Sequence, residues 1–223
     1  MNRLFPLLAD TWRFFTSNYY SLFKLILPIT IPLSLWSAIA SQFPVDEGKI
    51  HWLALGPSLL LHPIIQGVII IHIAAVINGE PLSRRACYKL SQKFWLPLIL
   101  LYIMTSIVIS AGFILFILPG LFVLARLMFS EYYCIIYKQK PIDAFISSWE
   151  QTRDHQWLLL LGVINIVLLT TVPILLIKEG IRNADAWNPL LTFTFNIFEY
   201  FVACLLPIFG YRVFTSHIEN TTT

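Results

Sequence analysis

The stretch ILPGLFVLARLMFSEYYCIIYK, residues 117–138, decides how the chain is read. It is apolar enough for a helix in hydrocarbon. Yet it carries Arg126 and Glu131, and it opens on Pro119-Gly120 with no polar loop before it. A soluble core helix of this character would need polar elements wrapped around it, and the rest of the chain does not supply them. Of the 223 residues, 57% are hydrophobic and only 12% are charged, where soluble domains have about 25% charged residues. The mean hydropathy is +0.74.

Runs of about 20 apolar residues cross the roughly 30 Å hydrocarbon core as helices. Six such runs follow one another: Leu22–Ser41, Trp52–Ile77, Trp95–Ile117, Leu121–Tyr137, Trp157–Ile177 and Pro189–Tyr211. The expected fold is all-α, a single integral membrane domain of residues 1–223 with six transmembrane helices. Six spans put both termini on one side, together with the 78–94 and 138–156 connectors. That side carries Arg3, Arg13, Lys24, Arg84, Arg85, Lys89, Lys93, Lys138, Lys140, Arg153 and Arg212; the other carries Lys49, Lys178 and Arg182. Lys and Arg accumulate on the cytoplasmic side of membranes, so both termini are expected in the cytoplasm. Ala38-Ile39-Ala40 has the form of a signal-peptidase site. The stretch before it is too long and aromatic for a leader, and the first run is expected to remain a span.

Each connector on the basic side reads as a short amphipathic helix lying in the interface. The first has Leu4, Leu7, Leu8, Thr11 and Phe15 at helical spacing. The second follows Pro81, with Leu82, Ala86 and Leu90 on one stripe. The third follows Pro141, with Ile142, Phe145, Ile146 and Trp149 on one stripe. Phe145 and Trp149 are expected to anchor it among acyl chains. The unit of amphipathic helix, span, turn and span then occurs three times.

Polar residues recur on one face within the spans: Thr30, Ser34, Ser37 and Ser41; Ser58, His62 and Gln66; Tyr102, Ser106 and Ser110; Arg126, Ser130, Tyr133 and Tyr137; Thr192, Asn196 and Glu199, with Ala203. Such faces point toward protein rather than lipid. Arg126, Glu199, His62, Asn196 and Glu131 form the candidate intramembrane site. On a continuous helix Glu131 lies about 140° from Arg126, so Arg126 is expected to pair with Glu199, leaving Glu131 to reach a basic residue near the cytoplasmic end. His72 reads as an interfacial residue. Cys87, Cys134 and Cys204 are scattered, with no metal-ligand spacing. No nucleophile, phosphate-loop or zinc motif is present. No catalytic, cofactor or metal site and no nucleic-acid partner is expected. The expected partners are membrane lipids, a membrane protein or a second copy of the chain.

Residues 117–157 resemble the signature of the YciC-like bacterial inner-membrane proteins. The resemblance rests on Pro119, Gly120, Arg126, Pro141, Ala144, Ser148, Trp149 and Glu150. It implies a multipass protein of a bacterial inner membrane and carries no activity with it. The expected role is binding of lipid or a membrane partner in envelope organisation. The alternatives are a small transporter or channel using the polar seam and, last, a lipid-acting enzyme. A reporter active only in the cytoplasm should be active when fused after Thr223 or within residues 138–140, and inactive within 178–186. Activity in the 178–186 segment would overturn the six-span arrangement.

Overall fold

The computed structural model describes residues 4–43, 52–184, 186 and 188–222; Arg3 and Lys49 of the charge asymmetry lie outside them. The described helices are α1 (Leu4–Ala40), α2 (Trp52–Ile77), α3 (Arg84–Lys93), α4 (Trp95–Leu115), α5 (Ile117–Leu127), α6 (Ser130–Ile136), α7 (Pro141–Gln151), α8 (Gln156–Asn183), α9 (Pro189–Ala203) and α10 (Leu205–Thr222). A short 3-10 turn at Arg153–His155 leads into α8. Six described segments are long and apolar enough to cross a membrane: Leu4–Ala40, Gly56–Ile77, Trp95–Leu115, Ile117–Ile136, Arg153–Asn183 and Pro189–Ser216. The protein is an all-α polytopic membrane protein.

The second half of α2 is the centre of the bundle. Val68, Ile70 and Ile73 are fully enclosed, and α1, α3, α6 and α10 pack around this helix. In contrast, α4 and α8 turn Leu96, Ile107, Leu169 and Leu176 outward. An apolar face left uncovered on a spanning helix is what lipid covers.

The first amphipathic segment is not a separate helix. It runs unbroken into the first span as the 37-residue α1. No breaker separates the two parts, and the polar residues at the junction bond inside the helix. The Thr16 hydroxyl donates to the Trp12 carbonyl (2.9 Å) and the Asn18 amide to the Phe14 carbonyl (3.0 Å). The other two amphipathic segments do stand apart, as α3 and α7.

Prolines inside spans remove an amide, and the carbonyl four residues back loses its partner. Pro57 does this to Leu53 in α2. The Trp36 indole of α1 donates to the Leu53 carbonyl at 2.6 Å and restores the bond from a neighbouring helix. Near Pro28 of α1, the Tyr88 phenol of α3 donates to the Leu25 carbonyl at 2.5 Å. Helix irregularity and helix packing are thus one feature.

The Pro119-Gly120 pair does not itself make the turn between the third and fourth spans. The chain turns at Phe116, whose backbone is extended (φ −167°, ψ 162°). Pro119 then sits in the first turn of α5, where its missing amide costs nothing. Gly120 serves close approach. A Cβ there would lie 2.4 Å from the Phe113 ring, and one on Gly112 would lie 3.0 Å from the Gly120 Cα. The two glycines let α4 and α5 touch immediately after a one-residue turn.

The fourth span is broken at Met128-Phe129, between α5 and α6. The α7 helix stitches the break. Its Ser148 hydroxyl accepts from the Phe129 amide (3.1 Å) and donates to the Arg126 carbonyl (2.8 Å). The Thr152 hydroxyl lies 3.0 Å from the same carbonyl. Ala144, Ser148 and Thr152, spaced four apart, form the buried face of α7. This corrects the expected interfacial orientation in one respect: Phe145 packs against the protein core rather than standing free. Ile142, Ile146 and Trp149 remain exposed. The small residues allow close approach to the break, so the bulky ones are left outward.

A second break, at Cys204, separates α9 from α10 and faces the first. The Tyr132 phenol of α6 donates to the Pro207 carbonyl (2.9 Å). Gly210 leaves room for Tyr132 and Met128, since a Cβ there would come within 2.5 Å of the phenol oxygen.

Removing the stitching hydroxyls should destabilise the fold. Ser148→Ala and Thr152→Val should each cost about 1–3 kcal/mol, the range for leaving a buried polar group unpaired. Because the two share the Arg126 carbonyl, the double variant should lose less than the sum. Thermal unfolding in detergent measures all three; strict additivity would separate the two hydroxyls.

Candidate functional site: a polar seam divided by His62

His62, Asn196, Glu199 and Glu131 come together around two cavities, and His62 lines both. The first cavity, about 200 Å³, lies between α2, α4, α6 and α10. Its polar wall holds His62 and Gln66 of α2, Tyr102, Thr105 and Ser106 of α4, and Glu131 and Tyr132 of α6. Both helix breaks reach it, through Met128 on one side and Leu206-Pro207 on the other. The Gln66 amide nitrogen lies 3.4 Å from His62 Nε2, and the His62 ring stands 5.2 Å from that of Tyr102. The second cavity, about 300 Å³, is bounded by Leu33 and Ser37 of α1, Ser58 and His62 of α2, and Asn196, Glu199, Tyr200 and Ala203 of α9. The polar faces of α1, α2, α4 and α9 therefore do converge.

Arg126 is not part of this seam, and its expected pairing with Glu199 is overturned. Its guanidinium donates to the Trp149 carbonyl and, at 3.2 Å, to Gln156 Oε1. It also lies 4.7 Å from the centre of the Trp149 ring. These partners belong to the end of α7 and the first residue of α8. Arg126 is only 6% exposed, yet it is held by neutral acceptors and an aromatic face.

Glu199 instead binds Lys178, with Nζ 2.6 Å from Oε1. The apolar run of the fifth span ends at Ile177, but α8 continues to Asn183. Lys178 thus stands on a helix and reaches across to α9 rather than lying in a loop. The expectation for Glu131 also fails, because no basic residue pairs with it among the described residues. His72 is a further correction. It is buried, and its Nε2 lies 3.2 Å from the Ser21 hydroxyl of α1. Of the residues that sequence reasoning missed, Ser148 and Thr152 had a legible signal: with Ala144 they make a small-residue repeat every four positions.

A third concavity, about 330 Å³, lies on the α3 side, lined by Pro28, Arg84, Arg85 and Tyr88. Neither arginine has an ion-pair partner among the described residues. Burial pushes the Tyr88 phenol up to about 12, against the opposing pull of Arg84. Tyr88 therefore stays a neutral donor to the Leu25 carbonyl at physiological pH, and the cleft floor is fixed.

The ion-pair assignment is open to a double-mutant test. Lys178→Met and Glu199→Gln should couple by about 1 kcal/mol, at the upper end of the range for partly exposed pairs. Arg126→Leu and Glu199→Gln should add to within about 0.5 kcal/mol, as distant sites do. Thermal aggregation of the detergent-solubilised variants reads both cycles.

Comparison with known proteins finds no family model, no curated protein and no solved structure that matches this chain.

Proposed function

We propose that the protein is a component of a bacterial inner membrane that binds anionic lipid headgroups from the cytoplasmic face, and through them organises lipid or a membrane partner. The observation that carries this reading is the Arg84-Arg85 cleft. Two guanidinium groups with no carboxylate partner among the described residues line an open concavity beside Tyr88 and Pro28. Guanidinium forks match phosphate oxygens in pairs. Lys24 stands one helical turn before Pro28 and lies over the Tyr20 ring (3.9 Å), adding a third positive charge on the α1 side. Tyr19, Tyr20, Trp149 and Trp157 are all exposed, in keeping with the aromatic belt at a membrane–water interface. The bias of Lys and Arg toward the side of the termini supports their cytoplasmic placement, and the YciC-like resemblance of residues 117–157 supports the bacterial inner membrane.

A second reading, passage of a small solute, is favoured by one observation: the two seam cavities share His62 as a common wall, and both helix breaks border the first. Discontinuous helices flank the substrate sites of many transporters.

Native mass spectrometry in detergent tests the first reading. Phosphatidylglycerol should be retained in preference to phosphatidylcholine. The double variant Arg84→Gln, Arg85→Gln should retain about tenfold less, the equivalent of 1.4 kcal/mol. Equal retention of the two lipids, or no change in the double variant, would remove lipid binding at this cleft.

A further inference from the structure

Glu131 stands on α6 with no hydrogen-bond or ion-pair partner among the described residues, and it lines the first seam cavity. A half-buried carboxylate lining a cavity within a membrane-spanning segment carries a desolvation cost unless a positive charge meets it. The fixed cations nearby are committed elsewhere. Arg126, on the preceding helix, is held by Trp149 and Gln156. Lys178 is held by Glu199 in the neighbouring cavity. Among the described residues, no Lys or Arg lines the Glu131 cavity.

What the walls do supply is neutral oxygen. Gln66 turns its amide nitrogen to His62, and its Oε1 is buried without a partner. Thr105 donates its proton to the Tyr102 carbonyl (3.1 Å), which leaves lone pairs on its oxygen. Tyr132 likewise donates to Pro207 and keeps a lone pair. Ser106 adds a further hydroxyl. The set is one carboxylate with several uncharged acceptors. A divalent ion would be left half-neutralised in low dielectric, and no group of three metal-ligating side chains occurs among the described residues. A volume of about 200 Å³ lies below the roughly 300–1,000 Å³ of sites for larger organic ligands.

We propose that this cavity binds one monovalent cation, held by the Glu131 carboxylate together with Gln66 Oε1 and the hydroxyl oxygens of α4. An alkali ion and a primary ammonium group share this chemistry. The inference goes beyond lipid binding at Arg84 and Arg85 and does not depend on it.

Melting of the purified full-length chain in detergent, at fixed pH and ionic strength, tests the proposal. Sodium, potassium, ammonium and ethanolammonium chlorides are each compared with N-methylglucamine chloride, whose cation is too bulky for the cavity. At least one of the four should stabilise saturably, by about 5–10 °C at a hundredfold excess over Kd. The preferred salt distinguishes an alkali ion from an ammonium group. Glu131→Gln should abolish the response, whereas Glu150→Gln, an exposed change on α7, should keep it. If Glu131→Gln does not fold, Gln66→Leu should weaken the half-saturating concentration about tenfold. Direct binding of the preferred cation to the unaltered chain should reach one per chain. No cation-specific response, a response equal to that of N-methylglucamine, or a response that survives Glu131→Gln would each overturn the proposal.

Discussion

A backbone amide or carbonyl with no partner costs several kcal/mol in hydrocarbon, where no water can replace the lost bond. The rest of this structure is arranged around that constraint. Its spans contain Pro28, Pro32, Pro57, Pro63 and Pro173, and two of them are interrupted by short turns, at Met128-Phe129 and at Cys204. An isolated helix with such defects would expose polar backbone to lipid. Here Trp36 meets the carbonyl freed by Pro57, and Ser148 with Thr152 covers the first break. Tyr132 then joins the first break to the second. These donors come from adjacent helices, so the defects specify which helices are neighbours. Apolar packing alone is a weak guide in a membrane, because lipid tails solvate Leu and Ile as well as protein does.

The same logic explains why the two charges in residues 117–138 have different fates. Arg126 carries a long, flexible stem and donor groups on a planar fork, so its two terminal nitrogens reach neutral acceptors near the end of α7 and the start of α8. Glu131 accepts only, and the neighbouring cations are occupied. Its carboxylate lines a cavity in which amide and hydroxyl oxygens stand among apolar side chains. Arg126 meets the end of the bundle that holds α7, and Glu131 lines the seam cavity.

The six-span layout was legible because a run of about 20 apolar residues has few alternatives, and Trp52–Ile77 matches its helix residue for residue. The polar faces of α1, α2, α4 and α9 were legible for the same reason, since helical spacing survives wherever the helix is regular. The pairings failed where it is not regular. Nothing in the apolar pair Met128-Phe129 announces an interruption, and nothing in the pattern of the span shows that Arg126 meets Trp149 and Gln156. Lys178 was assigned to a loop because hydropathy ends at Ile177, whereas the helix ends only where its backbone bonds do. Phe145 was read from the apolar stripe of its own helix. The surface it meets depends on the hydroxyl stripe behind it and on a partner far along the chain.

The clasp of α7 on the fourth span also has a temporal side. The carbonyl of Arg126 leaves the ribosome before Ser148 and Thr152, which follow it by 22 and 26 residues. Until then the α5–α6 junction lacks the donors that complete it. The hairpin of α4 and α5 can close early, since Gly112 and Gly120 meet across a one-residue turn. The lower half of that span cannot adopt its final form until the ribosome has delivered α7. The connector between spans thus supplies the bonds that complete the span before it.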